Sequence, residues 1–200
     1  GKVKVGLSPH APYSVSPPLL KRLAEWARAE GLPLMVHAAE SPEEVAFLAR
    51  GEGPLREVYG RFAKTPWTPP GTTPVRHLHA LGVLGPTTLL VHGVQVDEEE
   101  VGLLAETGTK VVLCPRSNAN LEVGEAPLAL YAKHGVELAL GTDSRGSSPD
   151  LDVKNEARFL WGRAEPRLLV RALTRGGYRA LGLPTPRLTR GTPLSLVHFL

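Results

Sequence analysis

A parallel α/β architecture, the C-terminal part of a (β/α)8 barrel of the TIM type, is predicted by three observations. Short β-type runs alternate with helical patterns along most of the chain, which argues for a parallel sheet flanked by helices. Four of the five runs end on or just before a His or an Asp, and in a parallel barrel such ends share the face on which active sites are built. The chain has 200 residues, fewer than the roughly 250 of a closed barrel.

The first strand is expected at Val3 to Leu7. Ser16 then caps a helix with Pro17 in its first position, and Leu19, Leu20, Leu23, Ala24 and Ala27 recur at helical spacing until Gly31 ends it. A second strand runs from Pro33 to His37. Ser41-Pro42-Glu43-Glu44 repeats the start signal, with Glu44 completing a capping box. From Gly51 to Pro74 the pattern dissolves into a Pro- and Gly-rich stretch around Trp67, which reads equally as a functional loop or lid and as a surface excursion. Helix Val75 to Leu81 leads to strand Thr88 to His92, and Asp97 with Glu100 caps the helix that runs through Ala105. Strand Lys110 to Cys114, helix Pro127 to His134 and strand Glu137 to Gly141 follow. Two helices, around Leu151 to Arg163 and Pro166 to Leu181, precede a lone strand at Leu194 to Leu200. The connections have the lengths of right-handed crossovers.

Composition narrows the function classes. The chain is 42% hydrophobic and 22% charged with a net charge of +3, ordinary for one globular domain. Its Arg and Lys residues are scattered among acidic ones and form no nucleic-acid signature, so a nucleic-acid partner is not expected. There is no apolar run of about 18 residues and no secretion signal, so no membrane partner is expected either. The single cysteine, Cys114, excludes an internal disulfide framework and fits a reducing compartment, the cytoplasm. A homo-oligomer is left open.

His10, His37, His92 and Asp143 stand at equivalent places at strand ends. One such His is more often structural than functional; four at equivalent positions argue for a site. Imidazoles and a carboxylate on one mouth suit a divalent metal, Zn²⁺ first, with Fe²⁺ and Mn²⁺ able to use the same N/O donors. Glu40 follows His37 by three residues, where a carboxylate could reach over the metal and shuttle protons; out of context, it reads as a solvated residue beside a helix cap.

The context is five ordered motifs: Ser8-Pro9-His10-Ala11-Pro12-Tyr13-Ser14, Val36-His37-Ala38-Ala39-Glu40-Ser41, Leu90-Val91-His92-Gly93, Leu113-Cys114-Pro115-Arg116-Ser117-Asn118 and Leu140-Gly141-Thr142-Asp143-Ser144, with Leu151-Asp152-Val153 downstream. Together they resemble the amidohydrolase superfamily, in its branch of chlorohydrolases and purine or pyrimidine ring deaminases. The resemblance implies that His37 and Asp143 ligate the metal and that Asp143 also takes a proton from the attacking water. It implies that Glu40 binds the substrate ring and protonates its nitrogen, that His92 polarises the water, and that His10 contacts substrate. Ser117 and Asn118 are expected to shape the strand end, although Ser-Asn after a strand is also a common turn. The implied reaction is hydrolytic deamination of an adenine-type small molecule, such as S-adenosylhomocysteine, methylthioadenosine or aminodeoxyfutalosine. Hydrolysis of a ring chloride or cyclic amide is the alternative.

The pattern breaks at two places. The superfamily begins with a His-x-His metal-binding pair on its first strand, and none precedes His10. His77-Leu78-His79 does not replace it, because it falls in a helical pattern where i and i+2 point about 200° apart. Residues 1–190 are therefore expected to be a partial barrel lacking about three N-terminal strands, with the His-x-His segment supplied by the remainder of the polypeptide. Residues 191–200 are expected to begin a small β domain. The missing pair also leaves open a non-catalytic assembly module.

Overall fold

The computed structural model describes residues 4–63, 67–185 and 190. The expected lone strand at Leu194 to Leu200 and the expected β-domain start at 191–200 lie outside them. Four parallel strands, β1 (Leu34–Ala38), β2 (Thr88–His92), β3 (Lys110–Leu113) and β4 (Leu138–Leu140), form one sheet in sequential order β1-β2-β3-β4. The parallel α/β expectation holds. The register pairs Ala38 with His92 and Leu113 with Leu140, so the strand C-termini align along one edge.

The helices are α1 (Pro17–Glu30), α2 (Pro42–Arg50), α3 (Pro54–Phe62), α4 (Pro74–Ala80), α5 (Glu98–Thr107), α6 (Pro115–Asn120), α7 (Leu128–His134), α8 (Val153–Phe159), α9 (Pro166–Arg171) and α10 (Gly177–Ala180). Proline opens α1, α2, α3, α4, α6 and α9, where its missing N–H costs nothing. Gly31, at φ 62°, closes α1 in the left-handed region, as expected. Asp97 and Glu100 form the full capping box predicted for α5.

Leu34, Val36, Leu90, Val111, Leu113, Leu138 and Leu140 pack on one sheet face with Leu20, Ala24 and Ala27 of α1, Leu78 of α4, Leu104 of α5 and Tyr131 of α7. Alternation along the strands puts Leu89, Val112 and Ala139 on the other face, where Ala180 covers them.

Several expectations are corrected. Within Val3 to Leu7 the described residues contribute only a bridge, Leu7 to Leu34; Pro33 has no N–H to continue the ladder, and β1 accordingly begins one residue later than expected. The stretch from Gly51 to Pro74 contains α3, whose amphipathic pattern was obscured because it buries no side chain. A short helix, α6, follows β3 at once. The segment expected as helix Leu151 to Arg163 narrows to α8, where the Asp152 side chain accepts from Lys154 N–H and fixes the start. The expected helix from Pro166 to Leu181 is interrupted by a π-helical segment, Ala172–Gly176. Gly176 there lies so close to β4 that a Cβ would collide with the Leu138 carbonyl oxygen. Among the described residues, no helix is long and apolar enough to cross a membrane.

Candidate metal centre

The parallel register brings His10, His37, Glu40, His92 and Asp143 together at the C-terminal edge of the sheet. His37 is the penultimate residue of β1. Its backbone N–H donates to the His10 carbonyl oxygen at 2.9 Å and its Nδ1 to the same oxygen at 2.8 Å. One carbonyl thus fixes both the strand end and the ring, and leaves Nε2 to face outward. The His10 and His37 ring centroids are 5.4 Å apart, and those of His37 and His92 are 5.6 Å apart. His10 Nδ1 is held by Ser14 Oγ at 2.6 Å. Burial first, and the neighbouring His37 second, hold the His10 imidazole below the usual histidine range.

His92 ends β2 and is buried. Its Nδ1 lies 2.9 Å from Asn118 Oδ1, which accepts the ring proton and keeps the lone pair on Nε2. That Nε2 is 3.6 Å from Glu40 Oε1. Asp143 lies just beyond β4; its Oδ2 accepts from Ser117 Oγ at 2.6 Å and Ser147 Oγ at 2.7 Å, an arrangement that spares Oδ1 for other work. Burial opposes the charge on Asp143, but these two hydroxyls and the nearby His92 keep its carboxyl below the usual range.

The backbone bends sharply to deliver these groups. Ala39 (φ 54°), His92 (φ 76°) and Asp143 (φ 59°) all adopt the left-handed conformation, at a cost of about 1–3 kcal/mol for each non-glycine residue. Hydrogen bonds oppose the cost at the first bend, where the Ala39 carbonyl accepts from Val94 N–H and Gln95 N–H, both at 2.8 Å.

One ligand atom from each of His37, His92 and Asp143 lies within 4.8 Å of the others, the candidate metal-holding group among the described residues. Two imidazole nitrogens and a carboxylate oxygen are a donor set that suits Zn²⁺ or a similar divalent ion. His77 and His79 sit in α4, away from this group, with His77 buried.

The groups at the strand ends are held by further residues, two of which, Ser117 and Asn118, were expected only to shape the strand end. Ser117 and Asn118 are adjacent on α6, where one holds Asp143 and the other holds His92, so the pair does more than turn the chain. The start of α6 is itself anchored: Arg116 forks onto Asp150 at 2.8 and 2.9 Å while its backbone N–H donates to buried Glu156 at 3.0 Å. Ser147, four residues beyond Asp143 in the following turn, gave no signal of its own. Glu44 was expected to close a capping box with Ser41, but only half of the box forms. Ser41 Oγ accepts from Glu44 N–H at 3.2 Å, whereas the Glu44 carboxylate reaches one residue further back and accepts from Glu40 N–H at 2.9 Å.

Compared with known proteins, residues 1–199 match the amidohydrolase family. An aminodeoxyfutalosine deaminase of Deinococcus radiodurans is 43% identical over 205 residues, covering 94% of this chain and 48% of that protein. An adenosine deaminase from Xanthomonas campestris, solved with bound zinc, superposes with a TM-score of 0.72 at 31% identity, covering 88% of this chain and 38% of the other. The aminofutalosine deaminase of Helicobacter pylori gives a TM-score of 0.79 at 25% identity, covering 90% and 47%. The chain thus spans less than half the length of these relatives.

Proposed function

Because this chain belongs to the amidohydrolase family, we propose that it carries the catalytic face of a metal-dependent hydrolase that deaminates the ring amine of an adenine-type nucleoside derivative. The observation that carries this reading is the convergence of His37, His92 and Asp143 within 4.8 Å, with Glu40 Oε1 3.6 Å from His92 Nε2. The kinship to named deaminases of adenine derivatives supports the substrate class.

In this reading His37 and Asp143 hold the metal, Zn²⁺ by preference. When bound, such an ion supplies Lewis acidity that brings the pKa of water to about 7. Asp143 takes the proton of the attacking water on the oxygen that Ser117 and Ser147 do not occupy. His92, its Nδ1–H engaged by Asn118, presents Nε2 to the same water. Glu40 hydrogen-bonds the substrate ring and protonates its nitrogen, so that the carbon bearing the amine accepts water and ammonia leaves. His10 contacts the substrate. The cluster also favours a second arrangement, in which His92 is itself a ligand, because its ring nitrogen belongs to the group within 4.8 Å.

We assign the further ligands, the His-x-His pair that the resemblance implies, to polypeptide outside this chain. On this reading residues 1–190 are the barrel part. We place the protein in the cytoplasm, on the strength of its single buried cysteine, Cys114.

The test is elemental analysis of the longest natural polypeptide containing this chain, with ammonia release measured on a panel of adenine nucleosides. Near one metal per chain with ammonia released is expected. A metal-free, inert protein would overturn the proposal in favour of an assembly module, and chloride release from a chlorinated ring without any ammonia would move it to the chlorohydrolase alternative. Glu40→Gln should keep the metal and lose about 10²-fold or more in kcat; loss of the metal instead would make Glu40 a ligand.

A further inference from the structure

Glu44 is buried to 2% exposure on α2, yet it makes no ion pair among the described residues. Its Oε2 accepts from Glu40 N–H at 2.9 Å. Its Oε1 is buried and has no hydrogen-bond partner among the described residues. A buried carboxyl is expensive to place, and a residue needed only to start a helix would stay near the surface. Burial pushes this carboxyl up to about 8, against hydrogen bonds from the Glu40 and Ala39 amides that lower it, so Glu44 is largely the neutral acid at pH 7.

The backbone on either side of the Glu40 amide is already fixed. The Ala38 carbonyl accepts from Gly93 N–H at 3.2 Å, and the Ala39 carbonyl from Val94 and Gln95 N–H. The tie from Glu40 N–H to Glu44 therefore sets the direction in which residue 40 leaves the left-handed turn at Ala39. We infer that Glu44 is a positioning residue, which through the Glu40 backbone aims the Glu40 carboxylate at His92 Nε2 and at the substrate ring. The inference rests on the proposed role of Glu40 in proton transfer. A misdirected carboxylate gives up one of several substrate contacts but the whole of the proton transfer, so the loss falls chiefly on kcat.

The experiment compares Glu44→Met, which keeps volume and removes the acceptor, with Glu44→Gln, which retains a carbonyl oxygen in place of the neutral acid. Both are made in the longest natural polypeptide loaded with Zn²⁺. Steady-state kinetics and amide hydrogen exchange at residue 40 are measured on each, and Glu44→Ala replaces Glu44→Met if the latter does not fold. In the acceptor-free variant, kcat should fall at least about 30-fold with KM changed by less than about threefold, and exchange at the Glu40 amide should rise at least about tenfold. Glu44→Gln should return both quantities to within about threefold of the parent. An acceptor-free variant with parental exchange, or a Gln variant as impaired as Met, overturns the inference. A parent protein that deaminates no adenine nucleoside would overturn the proposed function, and the exchange comparison would still judge Glu44.

Discussion

At the ends of β1, β2 and β4 each side chain of the candidate metal group is gripped by another group. His37 is held by the His10 carbonyl, His92 by Asn118, and Asp143 by two serine hydroxyls. Between α2 and α4 the chain is built differently. There α3 buries no side chain, Val58 and Phe62 are exposed, and the main anchor is Trp67 stacked on Phe47 with centroids 4.1 Å apart, flanked by Tyr59. The difference separates two tasks. Proton transfer and metal binding need atoms placed to a fraction of an ångström, while a stretch held by apolar contact can change its contour without disturbing them.

This contrast can be broken at either end. Asp143→Ala removes the proposed ligand and the proposed base together, and turnover should fall by at least about 10³-fold; a variant retaining a tenth of parental activity would show that the strand-end grip does not serve catalysis. Asn118→Ala leaves every proposed reacting group present and frees only the His92 ring. A loss in kcat of about 10- to 100-fold is expected, and an unchanged kcat would mean that His92 needs no orientation. Trp67→Ala should lower thermal stability by about 1–3 kcal/mol through the lost aromatic contact and shift KM, with kcat held within about threefold. Calorimetry and steady-state kinetics check this, and a kcat loss as large as that of Asn118→Ala would erase the distinction between the regions.

The strand ends could be read from sequence because short apolar runs mark where a parallel strand stops, and His or Asp recurring at four such points is a signal that one alone would not give. The contacts that hold those side chains could not, although the resemblance had singled out Ser117 and Asn118 as shaping the strand end. Asn118 lies 26 residues from His92 and Ser117 lies 26 from Asp143, and only the sheet register brings them together. The α3 helix escaped because it sits in the Pro- and Gly-rich stretch and buries none of its side chains fully, with Val58 and Phe62 exposed. The π-helical segment escaped because one wider turn leaves the helical period almost unchanged. Glu44 satisfied a local capping rule on paper, while the folded chain drew its carboxylate one residue further, to the amide that follows the left-handed turn.

Those left-handed turns set a limit on how this protein can be improved. Glycine is the residue most at ease at such dihedrals, so simple selection for robustness would push Ala39, His92 and Asp143 toward it. Only at Ala39 can that substitution spare the chemistry. At the other two positions the residue the backbone resists is the one the proposed reaction requires, and on that proposal durability and activity pull against each other there.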